Sequence, residues 1–281
     1  MVKKQQVILV AGGFILLILL FFFGKTIPDK KPVAIAANTP HVEKAVDVEK
    51  MLTHAKERLT PQQLQKVTSL ENSVKRGDVK NQQIAVYNQL ALLWRDSIRL
   101  FEPYAYYTAE AAKLENSEKT LTFAAHLFLN SLKTEEDAAM QKWLATTAKD
   151  LFERALQINP ANDSSTIGLG ACYIFGNISE NPMQGIAPIR QVVEKNPDNV
   201  FGQFILGLGG IKSGQYHKAI ERFKIVVEKQ PDNLEAALNL AEAYDRKGDK
   251  ANAVKWYNEV KQKISNPEAQ KELDARIKAL Q

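Results

Sequence analysis

A single cysteine, Cys172, stands in a chain of 281 residues, so no intramolecular disulfide can close and no cysteine-based zinc cage can assemble. The lone thiol is compatible with a reducing or an oxidising compartment. It lies between Ala171 and Tyr173 in a small-residue helical stretch, where it reads as packing. His41, His54, His126 and His217 are scattered, and no His-Glu-x-x-His pattern or matched Cys/His spacing brings two ligands onto one helical face. Gly207-Leu208-Gly209-Gly210 before Lys212 lacks both the spacing of a phosphate loop and a preceding strand, and no nucleophile elbow occurs. No catalytic residue, metal ligand or cofactor site is therefore assigned. Strand signals are also scarce, with no alternating runs of Val, Ile and Thr and no Asn-Gly hairpin turn.

The formal net charge of +5 is concentrated at the amino terminus, where Lys3, Lys4, Lys25, Lys30 and Lys31 face only Asp29. The near-neutral remainder lacks the basic stripe that phosphate neutralisation requires, which argues against a nucleic-acid partner. Hydrophobic content of 45% with 25% charged residues is that of a folded protein.

What is present begins with an uncharged run over residues 5–24, apolar almost without interruption from 7 to 23. At ~1.5 Å per residue such a helix reaches ~30 Å, about one hydrocarbon thickness. The run is longer than a secretory h-region, and the nearest small-residue cleavage pattern, Ala34-Ile35-Ala36, comes well after it. The expectation is one uncleaved transmembrane signal anchor over residues 1–24, short tail included. No cysteine follows the run for lipid modification, and no GxxxG spacing marks a dimerisation face. A positively charged start followed directly by an apolar run places the tail in the cytoplasm and exports the body. In a bacterium the anchor would then sit in the inner membrane and the body in the periplasm.

Residues 25–42 contain Pro28, Pro32 and Pro40 without apolar periodicity and read as a linker. Thr60-Pro61 supplies an N-cap followed by proline at the first helical position, which divides residues 43–78 into a helical hairpin. Laid against itself, the rest of the chain repeats. Ala148, Phe152, Ala155 and Pro160 are matched by Ala219, Phe223, Val226 and Pro231, then by Ala253, Tyr257, Val260 and Ser265, with the same offsets. Upstream of these lie Leu169-Gly170 with Tyr173, Leu206-Gly207, and Leu240-Ala241 with Tyr244. One helix-turn-helix unit has been stacked several times.

This pattern resembles the tetratricopeptide repeat family, whose first helix carries Leu-Gly and an aromatic and whose second carries Ala, an aromatic and a closing proline. The match covers residues 163–197, 198–231 and 232–265. The stretch 137–159 fits a second helix, with 120–133 as its weak partner. Tyr87, Leu90, Ala91 and Trp94 fit a further first helix, followed after a two-residue insertion by Ala105, Ala109 and Ala112. Three departures stand out: Gly210 where an aromatic is usual, Gly185 where alanine is, and extra residues around Asn181-Pro182. The resemblance implies an all-α solenoid over residues 79–265, with a capping helix at 266–281 opened by Asn266-Pro267.

The family's first helices line a concave groove, so the resemblance implies a protein or peptide partner there. The corresponding stripes are Ile167, Ala171 and Ile174, then Phe204, Leu208 and Ile211, then Leu238, Glu242 and Asp245; Phe201 adjoins them. Between residues 201 and 211 only Gln203 is polar, and a helix apolar all round must be covered. The cover is either a partner's apolar segment or the chain's own hairpin at 44–76. The Lys and Asn residues of a carboxylate clamp are missing from this stripe. A membrane-tethered scaffold or adaptor is the resulting expectation. Its alternatives are a periplasmic assembly or maturation factor for envelope proteins or cytochromes, and an enzyme with an unrecognised site.

Overall fold

The computed structural model of the protein describes residues 46–76 and 79–281. The expected membrane span at 7–23 and the linker at 25–42 lie outside the described residues. Among those described, no helix is long and apolar enough to cross a membrane.

All regular structure in the described residues is helical. In chain order the α-helices are α1 (Val48–Lys56), α2 (Pro61–Arg76), α3 (Lys80–Leu92), α4 (Phe101–Glu115), α5 (Glu118–Leu132), α6 (Ala138–Ile158) and α7 (Asp163–Phe175). Then follow α8 (Met183–Lys195), α9 (Val200–Lys212), α10 (Tyr216–Lys229), α11 (Leu234–Lys247), α12 (Lys250–Lys263) and α13 (Pro267–Leu280). From α2 onward each helix packs on the next, and alternate helices touch as well, α5 on α7, α7 on α9 and α9 on α11. That pattern defines a solenoid of helical pairs in which each unit leans on its neighbours.

The local reasons are visible at the turns. Pro160, Pro197 and Pro231 each stand two residues before an asparagine, and Asn162, Asn199 and Asn233 cap α7, α9 and α11 by accepting from the backbone N–H three residues on. The residues that close the preceding helices, Asn159, Asn196 and Gln230, share one conformation, with φ of −134°, −134° and −133°. Proline cannot continue the helix, and an asparagine carboxamide satisfies an orphan N–H of the next. Thr60 and Gln63 form a reciprocal capping box at the start of α2. Asn266 accepts from Glu268 and Ala269 at the start of α13.

The repeated core positions lie where the two cores need them. Ala148, Phe152 and Ala155, with Ala219, Phe223 and Val226, are fully buried, as are Ala253 and Tyr257. Burying each large side chain contributes about 1.5–3 kcal/mol relative to exposure. Cys172 belongs to the same core, and burial pushes its thiol up to about 12. A smaller core joins the first four helices around Val67, Leu90, Trp94 and Tyr107.

The departures from the repeat pattern have physical reasons. A Cβ on Gly170 would strike the carbonyl oxygen of Gly185, and a Cβ on Gly185 would strike that of Gly170, so α7 and α8 cross with no side chain between them. Gly185 in place of alanine completes that crossing. At Gly210 a Cβ would already be 3.1 Å from the Ala219 Cβ, which leaves no room for an aromatic between α9 and α10. The two-residue insertion after Trp94 is taken up by a π-helical turn, Leu93–Ile98, which Arg99 closes at φ 61°. In the hairpin, Lys56 of α1 pairs with Glu71 of α2 at 2.7 Å, while α1 also packs on α4 and α2 on α3.

Gly170→Ala should therefore cost about 1–3 kcal/mol, since the colliding group is backbone and cannot swing away. Chemical denaturation gives the magnitude, and hydrogen exchange should show the loosening concentrated in α7 and α8. A variant as stable as the parent would show that these helices are free to separate.

Candidate functional site

The eight residues expected to line the groove divide into two groups. Ile167, Ala171, Ile174 and Phe204 are buried in the main core. The seam between α7 and α9 accounts for two of these: Gly202 and Gly209, seven residues apart on α9, offer bare backbone to Ile167 and Ile174, seven apart on α7. Phe204 is held edge-on against Phe223 at 5.8 Å. These four take part in the packing between repeats. Phe201, Leu208 and Ile211 are half-buried, and Leu238 is 37% exposed.

Of the two anticipated covers, the chain's own hairpin is not the one over α9. The hairpin at 44–76 sits against α3 and α4, away from α9. Instead α5 reaches across: the His126 ring meets Phe201 at 5.2 Å and Phe152 at 5.2 Å. Further along the same side, just past the end of α5, Lys133 Nζ stands 5.3 Å from the Phe204 ring centroid and 3.1 Å from Glu235 Oε1 at the start of α11. Lys133 therefore ties the end of α5 to the start of α11. Gln203, the polar exception on α9, is fully used, donating to the Pro197 carbonyl and accepting from Arg222.

Beside this tie a channel of about 380 Å³ remains open, lined by Leu132, Phe175, Leu208 and Ile211 together with the charged Lys133, Glu135, Lys212 and Arg246. Arg246 is paired with Glu242, and Lys133 with Glu235. Lys212 stands over the Phe175 ring at 5.7 Å, has no ion pair among the described residues, and is pulled down in pKa by desolvation. Phe123 shares the α5 face of His126 and Lys133 by helical spacing and is 59% exposed, the most exposed large apolar side chain described. The channel can therefore take an apolar side chain on its floor and an anionic or acceptor group at Lys212.

Sequence reasoning missed Lys133, Lys212, Arg246, Phe123 and Phe175. Only Phe123 carried a usable sign, lying on one helical stripe with His126 and Lys133. The other contacts join segments far apart in the chain.

These features define a helix-turn-helix repeat solenoid with an open channel beside α9. Residues 211–267 match the family model for the tetratricopeptide repeat. Solved structures with a similar fold include a tetratricopeptide repeat protein from Parabacteroides merdae, 15% identical, aligned over 83% of this chain and 86% of that one with a TM-score of 0.54. A thermophilic TPR protein from Thermus thermophilus is 16% identical over 72% of this chain and 98% of its own, with a TM-score of 0.51. No curated protein matches the chain by sequence. The chain thus has the fold of tetratricopeptide repeat proteins, and the repeat itself is matched over residues 211–267.

The cover has a pH signature. His126 accepts or donates a hydrogen bond with Ser164 at 2.7 Å, and its pKa is lowered below 6.5, first by burial and then by Lys133. A depressed folded pKa means that this group's contribution to stability is present above its ordinary value and is lost as pH falls below it. Stability should thus drop between about pH 7.5 and about pH 5.5, and His126→Gln should lose visibly less over that interval. Equal losses in parent and variant would remove His126 from the cover.

Proposed function

We propose that the protein is a scaffold that holds a protein or peptide partner in the channel beside α9. The observation that carries this reading is the channel itself, with an apolar floor of Phe175, Leu208 and Ile211 and the unpaired Lys212 at its edge. Concave surfaces that combine exposed apolar groups with a few polar ones are where ligands gain desolvation energy and orientation together. The partner this surface fits offers an apolar side chain with a carboxylate or carbonyl close behind it.

The apolar run at 7–23 supports a tether, and the reading includes a single-pass anchor with the body on the periplasmic side of a bacterial inner membrane. A scaffold fixed there would gather its partner close to the bilayer, where a short linker raises the effective concentration of neighbouring membrane proteins.

A photo-crosslinking residue introduced at Leu208 should trap a discrete partner in cells, whereas one at Lys255, on the exposed side of α12, should not. Leu208→Glu should abolish that capture with little change in melting temperature, because the half-buried carboxylate can turn into the channel and stay hydrated. Equal crosslinking from both positions would sink the channel as the binding surface. For the tether, a reporter active only after export, fused behind Gln281, should be active; a silent fusion would reverse the orientation.

A further inference from the structure

A second cleft, of about 260 Å³, lies between α1, α2, α3 and α4, and the channel reading makes no use of it. Its lining includes Tyr87, Tyr106 and Tyr107 together with Glu49, Lys56 and Glu71. Part of that polar set is internally closed. The buried Tyr107 hydroxyl donates to Glu71 Oε1 at 2.5 Å, and Lys56 Nζ donates to Glu71 Oε2 at 2.7 Å. This arrangement leaves Lys56 and Glu71 neutral as a pair and fixes the Tyr107 ring as a post. Tyr87 stacks against it at 6.1 Å and Tyr106 meets it edge-on at 5.1 Å.

What remains available is of one kind. Tyr87 and Tyr106 are half-buried, so part of each ring faces the cleft, and their hydroxyls make no hydrogen bond among the described residues. Glu49 is exposed at the cleft's edge, and its carboxylate has no ion pair among the described residues. Burial pushes the Tyr106 hydroxyl up to about 12, with Glu110 adding to the rise, and the same two causes raise Tyr87. Both hydroxyls thus stay protonated and neutral at neutral pH. Aromatic faces, acceptor oxygens and one uncompensated carboxylate together favour a flat cation that stacks and donates. The protein already makes this pairing nearby, with the Arg95 guanidinium 5.9 Å from the ring of Tyr104 on α4.

The geometry points to a second binding site in this cleft for an arginine side chain of a partner polypeptide, with Tyr87 and Tyr106 as aromatic walls and Glu49 as counter-charge. A guanidinium suits it better than an ammonium, because its planar face stacks while its edge donates to carboxylate and hydroxyl together. The site stands apart from the channel beside α9, and neither depends on the other.

Calorimetric titration of the full-length protein with the capped tripeptide Ala-Arg-Ala tests the assignment, with Ala-citrulline-Ala as the uncharged isostere. The arginine peptide should bind saturably and the citrulline peptide about tenfold or more weaker, a difference of ~1.4 kcal/mol. Glu49→Gln, an exposed change that spares the fold, should weaken arginine binding several-fold, while Leu208→Glu in the other channel should leave it unchanged. No saturable binding, equal affinity for the two peptides, or full affinity in Glu49→Gln would each overturn the site. Loss of binding in Leu208→Glu would overturn its independence and assign the titration to the channel.

Discussion

How closely α7 can approach its neighbours governs the geometry of the solenoid's second half. Gly170 and Gly185 bring α7 onto α8 backbone to backbone, and Gly202 of α9 makes room for Val193 of α8. In a solenoid each unit takes its orientation from the one before, so a change of separation at one crossing is carried into every later helix. On its other edge, α9 lines the open channel with Leu208 and Ile211.

The repeat architecture was legible in the sequence because its determinants are local and periodic. Ala, an aromatic and a closing residue recur at constant offsets, and the leading alanine and the aromatic of all three sets are fully buried. The asparagine two residues after each proline was equally present in the sequence and carries the same turn three times over. The groove was only half legible. A helix apolar on every side has no polarity contrast to separate its packing seam from its ligand face, so Ile167, Ala171, Ile174 and Phe204 were indistinguishable from Leu208 and Ile211. Lys133 could not be found at all from spacing, since its tie to Glu235 joins residues 102 apart in the chain.

The glycine departures carry the reverse lesson. Read as mismatches to a repeat pattern, Gly185 and Gly210 weaken the match; read with their neighbours, they mark where two helices come closest. Pattern positions report what most repeats need, whereas an individual repeat is shaped by the side chain across from it. Gly185 is opposite another glycine, and Gly210 is opposite the backbone of Ala219. The π-helical turn at Leu93–Ile98 is the same phenomenon in the main chain: added length is absorbed as a wider turn, and Trp94 remains fully buried.

The two surfaces differ in electrical character, and that difference bears on how a near-neutral body can be selective. The channel beside α9 carries charges of both signs: Lys133 and Arg246 are already paired, whereas Lys212 and Glu135 form no ion pair among the described residues. The cleft between α1 and α4 is anionic in sum, because Lys56 and Glu71 cancel while Glu49 remains. Long-range steering scales with net charge and is weak here, so discrimination falls to short-range contacts inside each concavity, where partial desolvation makes one unpaired charge count for more than several on the surface. A partner presenting an apolar and acidic segment to one and an arginine to the other would be gripped at two places, in one orientation only. Each contact alone can be weak, since the second becomes intramolecular once the first has formed. Orientation and specificity would then come from few contacts, without a large hydrophobic surface exposed to solvent.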